Sequence, residues 1–182
     1  NKYHCGNKGN LHFKSVWVII SCQSQNRAHS VIQIIMKGET KEGEAGTHRE
    51  KVKELKGKIF GMVEGLVSDD AILCSNSSHL EPEAIFEAAK HPERTCVIHY
   101  FFPAERNLMV EVVPSAQTDP TVTDWLLSFY ESLGKVPIQV KSRYGYALDP
   151  IFEGLFFASA LLAEQGVATT KQIDVIATRA LG

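Results

Sequence analysis

Two residues of this chain have the types and spacing to move a proton: His99, near the C-terminal end of an apolar run from Cys96 to Phe102, and Glu111, twelve residues on, in a run from Leu108 to Val113. Each run has the length and composition of a strand. In an open α/β sheet, ligand chemistry collects beyond the carboxyl ends of the strands, where neighbouring side chains converge. A carboxylate there orients an imidazole, fixes its tautomer and stabilises its charged form, as a general base requires. The same pair also fits a structural histidine at a strand end beside an edge carboxylate, and spacing leaves both readings open. No G-x-G-x-x-G or G-x-x-x-x-G-K-[ST] run follows a predicted strand, and neither G-x-S-x-G nor H-E-x-x-H occurs. Nothing in the sequence therefore cradles a pyrophosphate at a helix N-terminus. Cys5, Cys22, Cys74 and Cys96 lie too far apart for a C-x-x-C metal knuckle and are too few for a disulfide scaffold, so no metal and a reducing, cytoplasmic compartment are expected.

The elements that must position this pair follow from hydrophobic periodicity. Val16 to Ile20 and Val31 to Met36 read as short strands flanking a polar loop, and the charged, glycine-rich stretch from Lys37 to Gly46 reads as a flexible connection. A capping box at Thr47 and Glu50 opens a helix whose Val52, Leu55, Ile59, Met62, Val63 and Leu66 make one inward stripe. Ala71 to Cys74 is a buried strand, Pro82 to Lys90 a helix, and Cys96 to Phe102 and Leu108 to Val113 are the next strands. Thr118, Asp119 and Pro120 start a helix carrying Val122, Trp125, Leu126, Phe129 and Leu133, which Gly134 ends before a strand from Val136 to Val140. This succession predicts an α/β layer with a mostly parallel sheet. After Gly145 no strand follows: Pro150 to Gln165 is apolar on nearly every side, and Thr169, Thr170 and Gln172 open a further helix.

Composition bounds the partners. The chain has 182 residues, 19 basic and 21 acidic, with 44% apolar and 22% charged residues. It is long enough to bury a core without disulfides. A net charge of −2 argues against nucleic acid, whose affinity for proteins comes largely from Lys and Arg. The longest apolar stretch, Ile151 to Ala163, is interrupted by Glu153 and too short to span a bilayer, so no membrane association is expected.

Four motifs in order resemble the L-3-hydroxyacyl-CoA dehydrogenase family. His99-Tyr100-Phe101-Phe102-Pro103 followed by Asn107 to Val113 is similar to its H-F-F-N-P…K-L-V-E-V-I signature. Ser75-Asn76-Ser77-Ser78 resembles its S-N-T-S-S, Leu133-Gly134-Lys135 its L-G-K-x-P, and Tyr144-Gly145-Tyr146 its P-G-F-x-x-N-R. The likeness runs over roughly residues 50 to 182. It implies an α/β fold: a partial Rossmann-type, mostly parallel sheet over residues 47–143, then the first helices of an all-α dimerisation domain over 144–182, with 1–46 an unassigned segment. It further implies oxidation of a 3-hydroxyacyl-CoA by NAD in a homodimer. By resemblance His99 is the catalytic base and Glu111 its orienting carboxylate. Ser78 touches substrate and nicotinamide ribose, Lys56 and Asn76 lie at the cofactor, and Asp149 is at the substrate.

The sequence departs from the family pattern at Phe102, where the family has asparagine, and at Asp149-Pro150, where it has Asn-Arg. An ionised Asp accepts hydrogen bonds but cannot donate to a keto oxygen as an amide does. Phe102 is expected to enlarge an apolar wall and favour a bulky or cyclic acyl chain. The first half of a dinucleotide site has no counterpart in residues 1 to 50, so the chain reads as a piece of such an enzyme, inactive alone. The alternatives are a non-catalytic acyl-CoA-binding or subunit protein, and a purely structural interaction protein.

Overall fold

A computed structural model describes residues 13–22, 30–38 and 56–181, the first two ranges as backbone strands. The chain divides into two compact units, Asn1–Tyr144 and Gly145–Gly182. The first contains β1 (Phe13–Cys22), β2 (Ser30–Gly38), helix α1 (56–64), β3 (Ile72–Ser75), α2 (Pro82–Ile85), a 3-10 turn (Pro92–Arg94), β4 (Thr95–Tyr100), β5 (Met109–Pro114), α3 (Pro120–Ser132) and β6 (Val136–Gln139). The second contains α4 (Leu148–Glu164) and α5 (Thr170–Ile176).

The six strands lie side by side in chain order. Pairs β2–β3, β3–β4 and β5–β6 are parallel, whereas β1–β2 and β4–β5 are antiparallel. The reversal at β4–β5 has a simple cause: residues 101–108 are too few for the crossover a parallel pair needs. Val31 to Ile34 pair with Ile72 to Ser75, so β2 belongs to the same sheet as β3 although the glycine-rich stretch lies between them.

Side chains alternate across the sheet. On one face Ile72, Cys74, Cys96, Ile98, Val110 and Val112 form a core with Leu126 and Tyr130 of α3, against which Tyr100, Trp125 and Phe129 pack. Asp119 caps α3 by accepting from the Thr121 N–H at 2.8 Å. The other face takes the odd-numbered positions, among them Ser75, Val97, His99, Glu111 and Val113.

Three expected elements are corrected. β4 stops at Tyr100 rather than Phe102, because Pro103 has no N–H for a ladder and its carbonyl instead accepts from Arg106 and Asn107 in a turn. α2 stops at Ile85 rather than Lys90: the Phe86 N–H makes the last helical bond, to the Pro82 carbonyl, the Ala89 N–H closes a turn on the Phe86 carbonyl, and the Lys90 and His91 N–H groups donate to the Glu64 carboxylate, both at 2.8 Å. In α1 the buried stripe is Lys56, Phe60 and Glu64, while Met62 and Leu66 are exposed. The capping box at Thr47 and Glu50, with Val52 and Leu55, lies outside the described residues.

Candidate active site

The His99–Glu111 pair is a product of register. The two residues are direct cross-strand partners in β4–β5, so both side chains leave the same face, opposite α3. His99 Nδ1 and Glu111 Oε2 are 2.7 Å apart, with the residues only 3% and 2% exposed. A carboxylate can only accept, so Nδ1 carries the proton and donates it, and Nε2 is the basic nitrogen. At that length and depth the bond is of the strong, charge-assisted kind once the ring is protonated. A turn holds the β4–β5 connection just beyond His99, with Lys135 Nζ donating to the Asn107 carbonyl at 2.9 Å and to that of Ala104.

A second group gathers at the carboxyl end of β3. Ser75, its last residue, pairs with Val97, two positions before His99 on β4, so the chain leaves β3 at the end of the sheet where His99 sits. Ser75 Oγ accepts from the Ser77 N–H at 3.4 Å, and Ser77 Oγ accepts from the Leu80 N–H at 3.2 Å; these two local bonds shape the segment that carries Asn76 and Ser78. Lys56 Nζ is 3.5 Å from Ser75 Oγ.

Lys56 is 9% exposed, and burial lowers its amine from the ordinary 10.5 to about 8. Below pH 8 the ammonium is protonated in folded and unfolded chains alike, and its desolvation weighs fully against the fold. Between about 8 and 10.5 the folded chain releases the proton while the unfolded chain keeps it, so the penalty fades as pH rises. Lys56→Met is therefore expected to stabilise the chain at pH 7 by at most about 3 kcal/mol, with the gain disappearing near pH 10.5. Thermal unfolding of both proteins at pH 7 and pH 10 checks this; an equal gain at both would contradict it.

Of the residues marked in the sequence, the structure joins His99 to Glu111 and places Asn76 and Ser78 just beyond β3. Lys56 meets Ser75, a contact that neither periodicity nor motif flagged. The resemblance marked each of the two residues, but not that they meet. Asp149 lies in the first turn of α4, in the second unit, where Gly145 is needed: its φ is +71°, and a Cβ there would come within 3.3 Å of the Asp149 Cβ. Phe102 is 87% exposed, so the expected apolar wall is not formed by its ring within the first unit. Among the described residues no group of three or more His, Cys, Asp or Glu is placed to hold a metal, and no helix is long and apolar enough to cross a membrane.

The sequence profile described as "3-hydroxyacyl-CoA dehydrogenase, NAD binding domain" matches residues 23–143. The chain belongs to this family. The match begins at residue 23 and so takes in β2, in agreement with the pairing of β2 and β3. An L-carnitine dehydrogenase of Pseudomonas syringae pv. syringae is 34% identical over 122 residues, 66% of this chain and 38% of the relative. A fatty acid oxidation complex subunit alpha of Idiomarina loihiensis is 28% identical over 114 residues, 63% of this chain and 16% of the relative. The crystal structure of a 3-hydroxybutyryl-CoA dehydrogenase from Escherichia coli superposes with a TM-score of 0.61 at 28% identity, covering 64% of this chain and 25% of that one. The chain thus spans well under half the length of these relatives.

NAD is the cofactor of this dehydrogenase family, and the residues present fit part of it. Lys56, Ser75, Asn76 and Ser77 supply an ammonium, two hydroxyls and an amide at the end of a parallel strand, the kinds of group that hold ribose hydroxyls and a carboxamide. The glycine run that would hold the pyrophosphate is not in the sequence.

Proposed function

We propose that this chain carries the proton-transfer half of a site for NAD-dependent oxidation of a 3-hydroxyacyl-CoA to the 3-oxoacyl-CoA. The observation that carries this reading is the buried 2.7 Å contact between His99 and Glu111. His99 Nε2 takes the proton from the substrate hydroxyl, and Glu111 holds the ring in one tautomer and offsets the charge it gains. Bound NAD supplies the acceptor for the hydride leaving C3. Ser78 positions the substrate and the nicotinamide ribose, Asn76 and Lys56 contact the cofactor, and Asp149 contacts the substrate. Residues 47–143, joined by β2 from the segment 1–46, act as a partial NAD-binding domain, and 144–182 act as the start of a helical, dimer-forming domain. The exposed Ile151, Leu155, Phe156 and Phe157 of α4 support an apolar dimer face. The free, buried Cys74 and Cys96 are consistent with a reducing cytoplasm.

A second substrate reading, a small 3-hydroxy acid such as L-carnitine in place of a CoA ester, is favoured by the 34% identity to L-carnitine dehydrogenase. In either reading the pyrophosphate has no cradle in this sequence. The 182-residue chain supplied with NADH and acetoacetyl-CoA is accordingly expected to show no loss of NADH absorbance. Turnover that disappears in His99→Ala would show that the chain holds the dinucleotide by itself and would overturn the half-site reading.

A further inference from the structure

β1 stands apart from the rest of the first unit in two ways. It ends at Cys22, so it lies wholly outside the stretch 23–143 that matches the NAD-binding family, whereas β2 lies inside it. It also runs against β2, with Phe13 opposite Gly38 and Cys22 opposite Ser30, although β2, β3 and β4 are parallel to one another. In a doubly wound dinucleotide fold two sets of parallel strands meet edge to edge, the first strand of each side by side, and the glycine run follows one of these two strands. β2 is the first strand of the parallel set here, so the edge that β1 covers is the one at which the other set would join. The far edge of the sheet is blunted against such a partner. The N–H groups of Val136 and Val140 donate to β5 or the residue before it, which turns position 137 outward, and that residue is proline, with no N–H to offer.

We propose that β1 is a displaceable plug on the β2 edge, and that the partner this edge fits is a parallel strand with a glycine run, carried by a dinucleotide-binding half on a second chain. An edge holds one strand at a time, so β1 and the partner compete for the same row of β2 N–H and carbonyl groups. β1 cannot do the partner's work. Its antiparallel course sets its amino end, Phe13, beside the carboxyl end of β2, and its own carboxyl end, where a glycine run would have to follow, at the opposite end of the sheet from His99. With β1 in place the chain is closed to a dinucleotide half; with β1 released it is open. The inference rests on the reading of residues 23–143 as part of a dinucleotide site.

Two measurements on the 182-residue chain test this. Over Val31 to Ile34 the N–H groups of β2 alternate between β1 and β3, so amide exchange followed by NMR compares the two edges within one strand. The β1-facing set is expected to exchange at least about tenfold faster than the β3-facing set, as an edge that opens by itself requires. Equal exchange would overturn the proposal, because β1 would then be as firmly part of the sheet as β3. The second measurement uses a labelled synthetic peptide, a short Val- and Ile-rich strand followed by G-x-G-x-x-G, and the double variant Val18→Pro/Ile19→Pro, which removes whichever of two adjacent N–H groups faces β2. The peptide is expected to bind the variant at least about tenfold tighter than the unchanged chain, and a spin label on its amino terminus to broaden the Val31 amide rather than that of Gly38, as parallel pairing demands. Equal binding to the two proteins, or broadening at Gly38 alone, would overturn the proposal. So would loss of amide protection at the paired Ile98 and Val112 in the variant, since β1 would then support the core rather than plug its edge. Residues 56–144 carry His99 and Glu111 without β1 or β2, so failure here leaves the proton-transfer reading to its own test.

Discussion

Glu64→Ala is expected to lower the unfolding free energy by about 3–5 kcal/mol, a large share of the stability of a domain this size. The carboxylate is buried on α1, and three groups of the stretch from Lys90 to Arg94 depend on it. It lies 3.7 Å from Arg94 and accepts the Lys90 and His91 N–H groups, each at 2.8 Å. Removing it leaves a buried guanidinium without a counter-charge and takes the acceptor from two backbone donors, each left to find water or stay unpaired. Arg94 also joins the Ser68 and Ala71 carbonyls, so the loss would spread to the turn that leads into β3. Glu64→Gln keeps an acceptor for the N–H groups but not the charge and should fall between. Urea titration of the three proteins measures this; a change below about 1 kcal/mol for Glu64→Ala would show that the buried pair carries little weight.

The same residue explains why one part of the fold was hidden in the sequence. Periodicity favoured Met62 and Leu66 as the inward face of α1, since it ranks apolar above charged. Glu64 is inside because Arg94, far along the chain, supplies its counter-charge, and no local pattern announces a partner at that distance. The course of the chain after α2 was hidden for the same reason, because the distant Glu64 carboxylate takes the N–H groups of Lys90 and His91. The strand positions were legible, since apolar runs such as Thr95 to Tyr100 and Met109 to Pro114 have one reading at that length. The pairing of His99 with Glu111 was legible in part. Both lie on strands joined by a short connection, and the antiparallel register that sets them opposite each other emerges only when the sheet is built. Lys56 was marked by its resemblance to a family lysine, but its contact with Ser75 depends on how α1 lies against β3, which spacing does not encode.

His99→Gln is expected to cut turnover by about 10²–10⁴-fold, the range that a positioned general base contributes. Glutamine keeps the size and polarity of the site but cannot take a proton at neutral pH, so the loss should fall on kcat with KM little changed. Glu111→Gln should cost less: an amide can still hold the ring but does not offset the charge that the imidazolium gains on taking the proton. The central claim, that this buried pair performs the proton transfer, is tested most directly in a chimera. Residues 56–144 replace the matching segment of the Pseudomonas syringae L-carnitine dehydrogenase, which restores the rest of a dinucleotide site. NADH formation from L-carnitine is then followed for the parent chimera, His99→Gln and Glu111→Gln. The expected result is an active chimera, at least a hundredfold loss of kcat for His99→Gln and a smaller loss for Glu111→Gln. An active chimera whose turnover survives His99→Gln to within about threefold, well short of a general base's contribution, would contradict it.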